Sequence, residues 1–367
     1  MKIGILTYHR AENYGALLQA YSLRAYLQQQ GHEVSFVDYW PKYHVEHCRI
    51  FSFDKFKKRS VIGKINYLFF LMLWGLPKWV RKHRLQRFMH ENLHLGDQIK
   101  YSKDSDYTGP YDVVVYGSDQ IWRRQSIHHN EFNPWYFGAS NVVAKKKITY
   151  AASMGVIDTI GEEDEQIKTW LKQFDALSVR EQDLKDYVAK LGFESLLVVD
   201  PVLLRNKEQW RTLYNPVKQG GYILFYNLLN SDESVRFAKA LSRTTGLPVK
   251  EINMVPSWKG FVSKNYIACA SIERFLQLFD GAEYVVSNSF HGVAFSLIYE
   301  KQFWAVGFGK MKDRAVSLLN SVGLSERFYT EAFFPSLLSQ TIDYETVSEK
   351  LDKLTKISKE FLNDTLR

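Results

Sequence analysis

The segment Glu283–Lys301 (EYVVSNSFHGVAFSLIYEK) puts a histidine, a glycine and three small polar residues at one junction. A short apolar run, Tyr284–Val286, stops at Ser287-Asn288-Ser289, and an apolar helical periodicity begins at His291-Gly292. This pattern reads as a strand handing over to a helix. Open α/β sheets bind ligands at the carboxyl ends of their strands. A helix N-terminus adds free N–H groups and partial positive charge, both suited to an anion. Gly292 would let a ligand come close to the backbone. The functional reading is an anionic substrate facing His291; the plain one is a histidine that caps its helix.

Four more sets of residues carry possible chemistry. Ser118-Asp119-Gln120 follows the apolar strand ending at Tyr116-Gly117, so Asp119 either grips or deprotonates hydroxyl groups or caps the next turn. Arg180 ends the Ser178-Val179 strand, where its planar fork suits phosphate or carboxylate unless Glu181 or Asp183 occupies it. Lys310, Lys312 and Arg314 surround a helix start after Gly307-Phe308-Gly309, as anion ligands or as solvated charges. Asn13-Tyr14-Gly15 opens the first long helix, with Asn13 as its N-cap and Gly15 leaving the first turn open. No G-x-G-x-x-G, Walker A, G-x-S-x-G or C-x-x-C sequence occurs. His44 with His47, and His128-His129, lack further ligands, so no metal site is expected.

The elements that must hold these groups alternate strand and helix, which predicts α/β domains with parallel sheets. Strands are expected at Ile3–Thr7, Val34–Val37, Val113–Tyr116, Ile148–Ala152, Ala176–Val179 and Leu196–Val199. A second set follows at Tyr222–Tyr226, Val249–Met254, Tyr284–Val286 and Phe303–Val306. The length of 367 residues exceeds one typical core. Residues 1–210 are therefore assigned to an N-terminal domain and 211–367 to a C-terminal one, with a cleft between them. The chain is expected to close with a polar amphipathic helix over about Tyr344–Leu362.

The net charge of +8 is one local feature. Lys55 to Arg87 contains ten Lys or Arg and no Asp or Glu, and without it 38 basic residues face 40 acidic ones. A nucleic-acid protein would carry basic residues around a whole groove, so nucleic acid is not an expected partner. This block, an irregular insertion over about 50–100, also holds the greasiest run, Tyr67–Leu76. Basic flanks around an apolar, Trp-bearing segment suit an anionic membrane surface, although a buried helix with solvated ends reads the same way. No apolar run is long enough to cross a bilayer. Two distant cysteines, Cys48 and Cys269, and an N-terminus leading straight into a strand predict a cytoplasmic protein, peripheral on the inner face of the plasma membrane if the block binds lipid.

Six segments together resemble the polysaccharide pyruvyl transferases. They are Glu12–Tyr21 (ENYGALLQAY), Gly117–Trp122 (GSDQIW), Thr149–Gly155 (TYAASMG), Ser178–Glu181 (SVRE), Asp200–Leu204 (DPVLL) and Ser287–Gly292 (SNSFHG), in family order over nearly the whole chain. The resemblance implies a GT-B-like fold of two Rossmann-like domains, with the last helix crossing back onto the first. It implies transfer of an enolpyruvyl unit from phosphoenolpyruvate, a co-substrate in place of any cofactor, onto two hydroxyls of one sugar, with release of phosphate. The expected acceptor is a surface-polysaccharide precursor carried on polyprenyl diphosphate. On this reading His291 protonates the donor methylene and Asp119 orients or deprotonates the sugar hydroxyl. Arg180, Ser287, Asn288, Ser289, Gly292, Lys310 and Arg314 hold the donor. Asn13, Tyr14, Gly15, Ser118 and Gln120 hold the acceptor. Some members carry Arg where this chain has Ser289, which leaves Arg180 or Arg314 to meet that charge. The rival readings are a nucleotide-sugar glycosyltransferase on the same fold and a non-catalytic glycan-binding module.

Overall fold

The computed structural model describes residues 1–96, 101–103, 106–125, 130–157, 161–254, 257, 259–329 and 335–367. In the N-terminal half, β1 (Lys2–Leu6), β2 (Glu33–Phe36), β3 (Thr108–Gly117) and β4 (Val142–Tyr150) pair in the order β2-β1-β3-β4, all parallel. Parallel bridges from Ile148 to Ala176 and from Ala152 to Val179 lead on to β5 (Ser178–Val179), which pairs with β6 (Leu196–Leu197). The second sheet contains β7 (Ile223–Tyr226), β8 (Val249–Ile252), β9 (Tyr266–Ile267), β10 (Tyr284–Ser287), β11 (Gln302–Val306) and β12 (Phe328–Tyr329). Their order is β12-β11-β10-β7-β8-β9, again parallel throughout. Read from the β9 edge this is the 3-2-1-4-5-6 order of doubly wound nucleotide-binding sheets. The α/β class with two Rossmann-like domains in a GT-B-like pair is therefore what the chain forms.

Each sheet reverses its order once, between β1 and β3 and between β7 and β10. Strands at such points are central and covered on both faces, which is why they read as bare apolar runs. Val114, Val115 and Tyr116 of β3, and Val285 and Val286 of β10, are completely buried. The carboxyl ends beside a switch point splay apart and leave a crevice.

The two halves share one hydrophobic core. Tyr14, at the start of the helix Tyr14–Gln29, stacks on Phe275 at 4.7 Å and donates its hydroxyl to the Ala270 carbonyl at 2.9 Å. The C-terminal helix, Tyr344–Thr365, returns to the first domain. There Tyr26 donates to Asn363 Oδ1 at 3.0 Å, Lys146 Nζ to the Thr365 carbonyl at 2.6 Å, and the Val199 N–H to Ser358 Oγ at 3.0 Å.

Residues 50–96 differ from the irregular insertion expected over about 50–100. Val61–Leu93 is one 33-residue helix with Ser60 as its N-cap and Pro77 inside it. Its C-terminal half buries Leu85, Phe88, Met89 and Leu93 at helical spacing, while its N-terminal half leaves most of its large apolar side chains in solvent. No single amphipathic period runs through both halves, so the sequence hides the continuity. Among the described residues no helix is long and apolar enough to cross a membrane.

Candidate active site

Both switch points open onto one cavity of about 400 Å³. Tyr8 and Asn13 enter it after β1, Asp119 and Gln120 after β3, Leu228 and Leu229 after β7, and Ser289, Phe290 and His291 after β10. Arg314 and Phe308 face them from the segment beyond β11. Buried polar clamps fix these loops. Thr7 Oγ1 donates to the Ser118 carbonyl at 3.0 Å and accepts from Gln19 Nε2 at 2.9 Å, which ties the loop after β1 to the loop after β3. Asn288 ties the other pair: its Oδ1 accepts from the N–H groups of Leu228 (2.7 Å) and Leu229 (3.1 Å). Its Nδ2 donates to Asn227 Oδ1 (2.9 Å) and Ser234 Oγ (3.1 Å).

Behind the cavity wall lies a buried charge cluster. Asp200, fully buried, accepts from Ser118 Oγ at 2.9 Å, from the Val202 N–H at 3.0 Å and from Arg180 Nη1. Arg180 Nε donates to Glu181 Oε1 at 3.2 Å. Phe290 lies over this guanidinium, 4.5 Å from its ring centroid, with Arg314 on the same ring at 5.9 Å. His291 is only 6% exposed. Its Nε2 stands 3.8 Å from Asp200 Oδ2, beyond hydrogen-bond reach, and is buried without a partner among the described residues, as is Nη2 of Arg180.

Burial pushes the Asp200 carboxyl upward, but Arg180 and His291 outweigh it and its pKa ends below the usual carboxylate value. Glu181 goes the other way, raised by burial with Arg180 and Arg314 only partly opposing. Burial lowers the His291 pKa, against the pull of Asp200 and Asp119. Arg314 is brought down to about 10 by burial and then by Arg180. The arrangement thus holds a neutral imidazole beside a carboxylate, with one cation in the cavity wall and another sealed behind Phe290.

Of the residues singled out in the sequence, the cavity collects His291, Asp119, Asn13, Gln120, Asn288, Ser289 and Arg314. Asp119 sits in the left-handed region (φ 65°), with its Oδ1 accepting from the Gln120 N–H at 2.9 Å. Lys310 lines an adjoining pocket of about 210 Å³ with Arg123, Arg124 and Arg314. Arg180 does not line the cavity, because two carboxylates and Phe290 enclose it. Ser118 bonds to Asp200, and Tyr14 bolts the domains together. Ser287 Oγ accepts from the Ser289 N–H at 3.1 Å. Gly292 does not face a ligand either, since a Cβ there would lie 2.0 Å from Ser287 Oγ. Its missing side chain serves the packing of helix on strand. Among the described residues no group of three or more His, Cys, Asp or Glu is placed to hold a metal ion. His44 stacks on Trp40 at 4.7 Å and lines the cavity, and His128-His129 lies outside the described residues.

Sequence reasoning passed over Asp200, Glu181, Tyr8 and Arg123 as site residues. Asp200 had a signal, a carboxylate between the apolar run Leu196–Val199 and Pro201. Its partners lie 20 residues before it (Arg180) and 82 residues before it (Ser118), and spacing cannot show that.

Gly15 sets where His291 stands. A Cβ at this position would come within 2.1 Å of His291 Nδ1 and 2.4 Å of Cγ. Gly15→Ala is therefore expected to cost about 1–3 kcal/mol through overpacking, in spite of alanine's better helix propensity. Urea unfolding in a double-mutant cycle checks the contact. The cost should vanish in a His291→Ala background, and an equal cost in both backgrounds would show that the imidazole is not what Gly15 accommodates.

A family model described as polysaccharide pyruvyl transferase matches residues 13–308. No curated protein matches the chain. Solved structures of similar shape include UDP-GlcNAc 2-epimerase from Methanocaldococcus jannaschii in complex with UDP-GlcNAc and UDP, at 13% identity and a TM-score of 0.47, covering 100% of this chain and 99% of that one. The UDP-N-acetylglucosamine 2-epimerase of Rickettsia bellii is similar at 10% identity and 0.47, with 99% and 95% covered. AviGT4, a glycosyltransferase of avilamycin A biosynthesis, is similar at 12% identity and 0.48, with 99% and 96% covered.

Proposed function

The chain belongs to the polysaccharide pyruvyl transferase family, and from that premise we propose that it forms a pyruvate ketal on a sugar diol with phosphoenolpyruvate as donor. The observation that carries this reading is the buried His291 Nε2, which has no hydrogen-bond partner among the described residues, in a cavity wall shared with Asp119 and Arg314. The donor has a carboxylate, a phosphate and a nucleophilic methylene carbon. Protonation of the methylene makes the neighbouring carbon electrophilic, one sugar hydroxyl adds there, phosphate leaves with the C–O bond electrons, and the second hydroxyl closes the ketal. Both hydroxyl protons leave, one proton enters the new methyl group, and no electron changes hands.

His291 supplies the methylene proton in this scheme. Arg314 and the first turn of the helix Phe290–Ile298 receive the donor's anionic groups. Ser289 makes no side-chain capping bond to that helix, so its leading N–H groups remain for a ligand. Lys310 and Arg123 extend the positive wall into the adjoining pocket. Asp119 orients or deprotonates the sugar hydroxyl, with Asn13 and Gln120 beside it on the acceptor side. The acceptor is a glycan precursor, carried on polyprenyl diphosphate at the cytoplasmic face of a membrane. Arg180 acts from behind the wall, by holding Asp200 ionised close to His291.

The test is incubation with phosphoenolpyruvate and a panel of lipid-diphosphate-linked short glycans, followed by acceptor mass. A gain of one pyruvate less one water, with an equal amount of phosphate released, is the expected result. No mass gain on any acceptor, with no thermal shift from phosphoenolpyruvate, would end this reading.

A further inference from the structure

We infer that the N-terminal half of the long helix Val61–Leu93 is an anchor that lies in the headgroup region of an anionic bilayer. Ile62, Ile65, Phe69, Met72, Leu76 and Trp79 follow one another at intervals of three, four, three, four and three residues. That spacing puts them on one face, and each is between 49% and 72% exposed. The stripe runs for about 26 Å at 1.5 Å per residue, well beyond the scattered apolar side chains normal on a surface.

The charge around the stripe selects its occupant. Lys57, Lys58 and Arg59 precede it, Lys78 stands beside its last residue, Trp79, and Arg81 and Lys82, both paired with Glu12, follow. A second copy of this helix would bring positive flank against positive flank in either orientation. An anionic lipid surface answers both flanks at once and takes up an apolar face to a depth of about 5–10 Å. The side chains also have the geometry of such an edge. Lys78 Nζ lies over the Phe70 ring, 4.5 Å from its centroid, and the Arg59 guanidinium over that of Tyr67 at 4.9 Å, so cations sit directly against the apolar rings they border.

Beyond the stripe the same helix is bolted to the active-site rim. Arg81 donates to the Met254 carbonyl and Arg84 to that of Cys269. Glu12, next to Asn13 of the cavity wall, lies 3.6 Å from Arg81 and 3.5 Å from Lys82. A bilayer held by the stripe is therefore held in fixed relation to the cavity, and Arg81 and Lys82 stand between the two. A sugar tethered through a diphosphate would approach along that line. This last step rests on the pyruvyl-transfer reading, whereas bilayer binding does not.

Flotation of the full chain with vesicles tests the anchor. Wild type should float with phosphatidylcholine–phosphatidylglycerol vesicles and remain below with pure phosphatidylcholine. Ile65→Glu/Phe69→Glu/Met72→Glu should abolish flotation, and Lys57→Glu/Lys58→Glu/Arg59→Glu should weaken it by on the order of a hundredfold or more. Both variants alter exposed side chains, and unchanged melting curves verify their fold. The stripe variant should also keep wild-type turnover on a short, soluble acceptor while losing it on a vesicle-borne one. Wild type that does not float, a stripe variant that floats as well as wild type, or a wild-type dimer that the stripe variant turns into a monomer would each overturn the anchor. Vesicle binding without activity on any acceptor would leave the anchor standing and remove only the pyruvyl-transfer reading.

Discussion

His291→Gln is expected to yield a folded protein whose turnover with phosphoenolpyruvate is lower by about 10²–10⁴, the range over which a positioned proton donor contributes. A pH series separates this role from simple donor binding. Burial holds the His291 pKa below its ordinary value of 6.5, so the free protein at neutral pH carries a neutral imidazole. Binding of an anionic donor beside it favours the imidazolium and moves the pKa up. The two kinetic parameters should then titrate at different places, because kcat/KM reports the free enzyme and kcat the complex. The alkaline limb of kcat/KM should fall below pH 6.5 and that of kcat at higher pH, and the Gln variant should lack both limbs. Coincident limbs, or limbs that persist in the Gln variant, would move the proton donor elsewhere and leave His291 as a ligand.

That this histidine was legible in the sequence has a local cause. β10 is buried on both faces, so it reads as a bare apolar run, and the helical period begins within five residues of its end. Asp119 was legible for the first of these reasons alone, since it follows the buried apolar run Val113–Tyr116 of β3. Residues whose meaning depends on distant partners were less legible. Arg180 reads as an anion ligand because a strand-end arginine has that chemistry, yet Asp200 and Glu181 hold it under Phe290. Tyr14 and Gly15 read as a helix start open to ligand. Their neighbours Phe275, Ala270 and His291 belong to the other domain and can be seen only once the two are docked. The long helix was missed for a third reason. Its two halves answer to different surroundings, so the continuity of the backbone leaves no single period in the sequence.

Asp200→Asn is expected to cost about 3–5 kcal/mol of stability, because it leaves the buried Arg180 guanidinium short of a counter-charge while barely changing shape. Its pH signature has a definite sign. The folded pKa of Asp200 is depressed, so its contribution is fully present above the ordinary value of 3.8 and is lost as pH falls through the lower folded value. Urea midpoints measured downward from pH 6 should therefore fall more steeply in wild type than in the Asn variant, and the two should converge in acid. Arg180→Met/Asp200→Leu should recover most of the loss, since Glu181, already raised by burial, takes up a proton when its cation is removed. If the double variant is no better than Asp200→Asn, the cost belongs to the hydrogen bonds from Ser118 and Val202 and not to charge. The kinetic consequence reaches His291. Asp200 is the first of the groups that raise its pKa, so in the Asn variant the imidazolium is harder to form and the alkaline limb of kcat should move to lower pH. Stability and catalysis would then respond to the same carboxylate along two separable axes, one read in urea and the other in the pH profile.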